Sequence, residues 1–268
     1  MTRISALFER LKRERRPALV AYLTAGDPVL ERTPALVAAL VRGGADLIEL
    51  GVPFSDPIAD GPVIQRASER ALRSGATMRG VLQAAREVRA QSEVPLLLFT
   101  YLNPVVRYGA DRLARDAAQA GIDGCLLTDL SVEEAGPFVS AMRAAYLDTV
   151  FLAAPTSTPE RRKLVAQYSS GFVYLVSRTG VTGEKDSLSD SVASLVSAMR
   201  EVTALPLVVG FGISKPEHVA EVGAMADGVV VGSAFVRLIE QYGEDASLEE
   251  RLEAFARRLS AALPRGCE

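Results

Sequence analysis

The chain is poor in the side chains on which metal and covalent enzyme chemistry usually depend. His218 is its only histidine, and it stands at the start of a helical pattern, away from any plausible nucleophile. Zinc and iron sites draw on several imidazole or thiolate ligands, so no metal site is expected and a Ser-His-Asp relay falls with it. There are four lysines against 26 arginines. Lys12 and Lys163 fall in helical patterns, Lys185 in a polar loop and Lys215 at a helix start, so no strand supplies the desolvated amine of a Schiff-base mechanism. The two cysteines, Cys125 and Cys267, have neither metal nor disulfide spacing. Cys125 reads as a small buried hydrophobe, and free thiols fit a reducing cytoplasm.

Long apolar runs and blocks of like charge are missing too. No stretch approaches the roughly 18 apolar residues of a membrane span. The first residues mix Glu9 and Glu14 with arginines, unlike a targeting segment. Ile4, Leu7, Phe8 and Leu11 instead follow the i, i+3, i+4, i+7 spacing of an amphipathic N-terminal helix. A net charge of −3 without a basic block argues against nucleic acid or an anionic membrane as partner. The turn after the first strand, Thr24-Ala25-Gly26-Asp27-Pro28, lacks the glycine pattern of a dinucleotide-binding open sheet.

What is present is alternation. Strand patterns recur at Ala18–Ala25, Leu47–Val52, Pro95–Tyr101, Gly124–Asp129, Thr149–Ala154, Gly171–Ser177, Pro206–Gly212 and Gly228–Ser233. Helical patterns lie between them. Leu36, Ala39 and Leu40 form a stripe that stops at Gly43-Gly44. Thr158 before Pro159 reads as an N-cap, and Ser247 to Glu250 has capping-box spacing. Eight strand–helix units in this length predict one α/β domain over 1–268, a parallel (β/α)8 barrel of the TIM type with an extra N-terminal helix. A hydrophobic fraction of 49% supplies the core it needs.

The most informative segment is Leu47–Pro62. Side chains alternate along a strand, so Leu47, Glu49 and Gly51 share one face, and neither face looks exposed. An unpaired buried carboxylate is costly and its pKa rises. Glu49 therefore reads as an acid–base group, the alternative being a structural ion pair inside the barrel. Asp56-Pro57 is a turn signature, and Asp60 before Gly61-Pro62 is either a helix cap or a second functional carboxylate. Gly210-Phe-Gly-Ile-Ser214 and Gly232-Ser233-Ala234 end the last two strands, where barrels often bind phosphate through backbone N–H groups and a helix N-terminus. Thr182-Gly183 extends that cradle, and the alternative is plain turn glycines. The polar loop from Arg178 to Asp190 is a lid candidate.

These residues resemble a family. LIELGVPFSDPIADGPVIQ, with YLTAGDP, LLLFTYLNPVVRYG, YLVSRTGVTG, GFGIS and VVGSA, is similar to the tryptophan synthase α subunit across the whole chain. The resemblance implies a lyase of tryptophan biosynthesis that splits indole-3-glycerol phosphate into indole and glyceraldehyde 3-phosphate by a retro-aldol reaction. It implies Glu49 as general acid–base and Asp60 as the partner of the indole N–H. It further implies Tyr22, Phe99, Tyr101, Leu126, Tyr174, Thr182 and Phe211 around the substrate, and Gly183, Gly212, Gly232 and Ser233 around the phosphate. No cofactor is implied for this chain. Pyridoxal phosphate belongs to a β subunit expected to complete an α2β2 assembly, docked where Phe54 and Ile58 are exposed beside Tyr101–Val106. Tyr22 stands where some members have phenylalanine, and Leu130-Ser131 departs from a frequent proline. A free-standing indole-releasing lyase and a non-catalytic activator of a β subunit are the other readings.

Overall fold

The architecture follows from strands buried on both faces, which forces helices onto one side and a packed interior onto the other. The computed structural model describes residues 2–176, 188–210 and 212–266. Its strands are β1 (Ala18–Thr24), β2 (Leu47–Gly51), β3 (Leu96–Thr100), β4 (Gly124–Leu127), β5 (Asp148–Val150), β6 (Leu152–Ala153), β7 (Val173–Val176), β8 (Leu207–Gly210) and β9 (Gly228–Val231). All pair in parallel, in the order β5-β4-β3-β2-β1-β9-β8-β7-β6.

The two ends of that order are halves of one barrel strand. β5 pairs with β4 and β6 with β7, and only Phe151 separates them. Its N–H donates to the Ser169 hydroxyl at 3.3 Å, while its carbonyl accepts from Tyr174 N–H at 3.1 Å. The eight strands expected from sequence are thus present, with the fifth divided. The ring is closed apart from this one-residue interruption.

Around it lie α1 (Arg3–Arg13), α2 (Thr33–Arg42), α3 (Pro62–Arg73), α4 (Met78–Arg89), α5 (Leu102–Tyr108), α6 (Ala110–Gln119), α7 (Gly136–Ala144), α8 (Pro159–Tyr168), α9 (Leu188–Arg200), α10 (Pro216–Gly223), α11 (Ser233–Tyr242) and α12 (Leu248–Ala261). Outward strand side chains such as Leu19, Ile48, Leu98 and Val209 pack with these helices in the larger core. Among the described residues no helix is long and apolar enough to cross a membrane.

Inward side chains form a second core with α1. Ile4, Leu7, Phe8 and Leu11 are buried against Leu47, Leu97, Phe172 and Val208, and the Phe8 and Phe172 rings lie 5.7 Å apart. Each such side chain contributes about 1.5–3 kcal/mol. Thr2 caps the helix by accepting from Ser5 N–H and anchors it by donating to Asp148. This plug fills the barrel interior at its N-terminal end, and a cavity lined by inward strand residues opens at the other.

Local expectations met mixed outcomes. Thr158 caps α8 through the N–H of Arg161. Ser247 precedes α12 without a side-chain cap, because its hydroxyl accepts from the Arg251 guanidinium instead. Of the lid candidate, residues 178–187 lie outside the described residues, while Leu188–Asp190 already belong to α9.

Candidate active site

A cavity of about 130 Å3 opens at the C-terminal ends of the strands, and its lining includes Tyr22, Glu49, Asp60, Ile64, Phe99 and Tyr174. Gly212, Ile213, Val230, Gly232 and Ser233 line the rest. Register explains the grouping. Tyr22 pairs with Glu49, Glu49 with Leu97 and Gly51 with Phe99, so the inward positions of β1, β2 and β3 meet at one level.

Glu49 is 1% exposed. Its Oε1 is buried with no hydrogen-bond partner, and no ion pair reaches the carboxyl among the described residues. Burial pushes its pKa up to about 8, because a charge there loses its hydration without compensation. The alternative of a structural ion pair is therefore set aside.

Asp60 does not cap α3. Gly61 occupies that position without a side-chain bond, and the Asp60 carboxylate accepts from the Tyr101 hydroxyl at 2.9 Å. Tyr101 is held in turn by the Ala59 N–H, 3.1 Å from its oxygen. Burial raises the Asp60 pKa to about 6, against the opposing pull of the Tyr101 bond. The two carboxyl groups thus differ in proton affinity, Glu49 holding its proton to higher pH than Asp60. Separating the pKa values of two neighbouring acids is how acid and base roles are divided.

The tyrosines owe their places to Gly51 and Gly210, which sequence reading named without assigning them this role. A Cβ on Gly51 would stand 2.7 Å from Cζ of Tyr22 and collide with its hydroxyl; one on Gly210 would stand 2.5 Å from Cζ of Tyr174 and collide likewise. The signal was available, since glycine at the end of an apolar strand marks close approach by another group. Tyr22 also bonds the Thr24 hydroxyl at 3.2 Å and meets the edge of Phe99 with ring centres 5.2 Å apart. Burial raises both phenols well above their ordinary value, so both stay neutral.

Beside Tyr22, Gly232 precedes α11 and Ser233 opens it. First-turn N–H groups have no acceptor within their own helix, which makes this edge suited to an anion. Gly212 adopts φ +74°, in the left-handed region that favours glycine. Thr182, Gly183 and Phe211 lie outside the described residues.

Other expected residues sit elsewhere. Leu126 is fully buried in the barrel interior with Leu97 and Val150 and does not line the cavity. Asp56 is exposed and bonded by Ser55. Cys125 packs in the outer core, and burial pushes its thiol up to about 12. His218 is half-buried rather than a surface residue, and its Nδ1 finds no partner among the described residues. Phe54, expected to be exposed, is half-buried against the Tyr101 ring at 5.2 Å. Ile58 is 85% exposed and Val106 67%. Ile64, Ile213 and Val230 add apolar lining; each lies within a quoted motif, but none was assigned to the site from sequence.

Known proteins resemble this chain over nearly its whole length. The family model described as tryptophan synthase alpha chain matches residues 8–264. A tryptophan synthase alpha chain of Solibacter usitatus is 72% identical over 259 residues, covering 97% of each chain. One from Geotalea uraniireducens is 51% identical, covering 98% of each. Among solved structures, tryptophan synthase subunit alpha from Legionella pneumophila superposes with a TM-score of 0.90 at 38% identity, covering 98% of both chains.

Proposed function

The chain belongs to the tryptophan synthase alpha chain family, and we propose that it performs the carbon–carbon lyase reaction in which indole-3-glycerol phosphate yields indole and glyceraldehyde 3-phosphate. The observation that carries this reading is the pair of carboxyl groups lining the cavity, Glu49 buried with Oε1 unpartnered and Asp60 held by the Tyr101 hydroxyl.

The reaction moves one proton and breaks one bond. A proton is added to indole C3, the side-chain hydroxyl next to it loses its proton, and the C–C bond between them opens to an aldehyde and indole. Glu49, protonated in its dry site, supplies the first proton. The carboxylate so formed takes the hydroxyl proton and restores the starting state. Protonation at C3 leaves positive charge on the ring nitrogen, and the Asp60 carboxylate, fixed by Tyr101, faces that charge. Tyr22, Phe99, Ile64 and Tyr174 form the slot for the ring. Gly232, Ser233 and the N-terminus of α11 receive the phosphate, with Gly212, Gly183 and Thr182 beside them.

The chain works in the cytoplasm with a β subunit that holds pyridoxal phosphate and consumes indole, in an α2β2 assembly. The exposed Ile58 and Val106 at the rim of the cavity support a docking face there. The test is to supply indole-3-glycerol phosphate to the isolated chain, with and without the β subunit, and to measure indole and glyceraldehyde 3-phosphate. Equal amounts of both, faster with the β subunit, are expected. Products at a rate indifferent to the β subunit point to a free-standing lyase, and no products under either condition overturn the activity.

A further inference from the structure

An ion-pair cluster joins the turn after β1 to α3 and α11, two helices whose N-terminal ends contribute to the site. Asp27, in the turn after β1, is 1% exposed and receives two arms of Arg70, Nε and Nη2, each at 2.8 Å. The third arm, Nη1, donates to Glu240 at 3.0 Å. Arg66 grips the same carboxylate with bonds of 2.6 and 3.0 Å. Arg66 and Arg70 stand on successive turns of α3, and Glu240 on α11.

The opposite ends of these helices face the substrate space. α3 starts two residues after Asp60, and its Gln65 side chain donates to the Asp60 carbonyl at 2.9 Å. It also gives Ile64 to the cavity, and α11 gives Ser233. From Pro62 to Arg70, and from Ser233 to Glu240, each helix runs about 10–12 Å. A helix is rigid over that span, so a fixed separation at the cluster fixes the separation at the cavity. Asp27 is buried and held by a two-armed bond, and Ser74 ties the end of α3 to the carbonyl of Gly26 at 3.0 Å. α3 is therefore locked to the β1 turn, and the bond to Glu240 sets where α11 lies against it.

We propose that Arg70 and Glu240 are positioning residues that couple anion capture at the N-terminus of α11 to the placement of Asp60. The inference rests on the function proposed above and adds a mechanical link between its two halves. Exposed ion pairs on their own contribute little to stability, whereas a three-armed planar guanidinium fixes geometry.

Glu240→Gln tests it, because that variant leaves the buried Asp27–Arg70 pair intact. The KM for indole-3-glycerol phosphate and the Kd of glycerol 3-phosphate should rise together by at least about fivefold. The acidic limb of kcat/KM should move, while the unfolding midpoint hardly changes. Arg70→Lys, which keeps the charge but loses the fork, should show the same defects. Glu69→Gln, in an exposed pair with Arg73 on the same helix, should match the wild type. A folded Glu240→Gln variant with wild-type KM, Kd and pH profile overturns the proposal, as does a variant altered only in stability. A wild-type protein that neither cleaves the substrate nor binds glycerol 3-phosphate overturns the activity itself, and the coupling with it.

Discussion

Glu49 keeps its proton near neutral pH because nothing in the barrel wall compensates a charge there, and that has consequences for stability as well as chemistry. An acid whose folded pKa lies near 8, against an ordinary 4.5, binds its proton more tightly in the folded chain. The unfolded chain ionises first, so stability falls as pH rises from about 4.5 and levels off above about 8. The loss is on the order of a few kcal/mol. Glu49→Gln carries no such penalty. Its denaturant midpoint should exceed that of the wild type at pH 8, and the gap should close towards pH 5. The same variant should lose about 10²–10⁴-fold in cleavage. A variant less stable than the wild type at pH 8 would show that Glu49 is compensated. Activity has its own pH signature. The proposed reaction uses Asp60 ionised and Glu49 protonated, so kcat/KM should fall below about 6 and above about 8. Asp60→Asn should remove the acidic limb; an unchanged limb would assign it to another group.

Among the elements, β7 and β8 show how little freedom the site has. Tyr174 lies across Gly210 so closely that no side chain fits beneath it. Gly210→Ala should displace the ring, destabilise the fold by about 1–3 kcal/mol and lower cleavage. Urea unfolding with an unchanged m-value, together with steady-state rates, measures both effects, and wild-type values in both would show that the ring can yield. Helix ends tell a related story. Asp60 is free for chemistry because Gly61 and Pro62 begin α3 without it, whereas Ser247 is drawn away from its cap by Arg251. A capping signature names a capable side chain, and competing neighbours decide its bond.

For the whole molecule, α1 plugs the barrel interior at the N-terminal end, and the proposed chemistry and docking share the C-terminal face. Ile58 and Val106 are large exposed apolar side chains at that face, and neither contributes to the cavity. Changing both to aspartate should leave the chain folded and its own cleavage intact. It should also abolish stimulation by the β subunit, expected at about tenfold, or roughly 1.4 kcal/mol of barrier. Calorimetric titration with the β subunit checks the binding, and retained binding would move the interface elsewhere.

Much of this was determined by sequence. Strand periodicity placed the barrel strands, and the amphipathic spacing of Ile4, Leu7, Phe8 and Leu11 named the face that plugs them, because local periodicity alone decides which side chains share a face. The same logic marked Glu49 as a carboxylate with no exit to water. What only the tertiary structure decided depends on partners distant in the chain. Asp60 meets Tyr101 across 41 positions, and Arg70 meets Glu240 across 170. Leu126, inward like Phe99, is nonetheless shut out of the cavity, and Phe54 turns in to Tyr101. Such choices follow from register, helix docking and competition for burial, none of which is encoded in a residue's immediate neighbours.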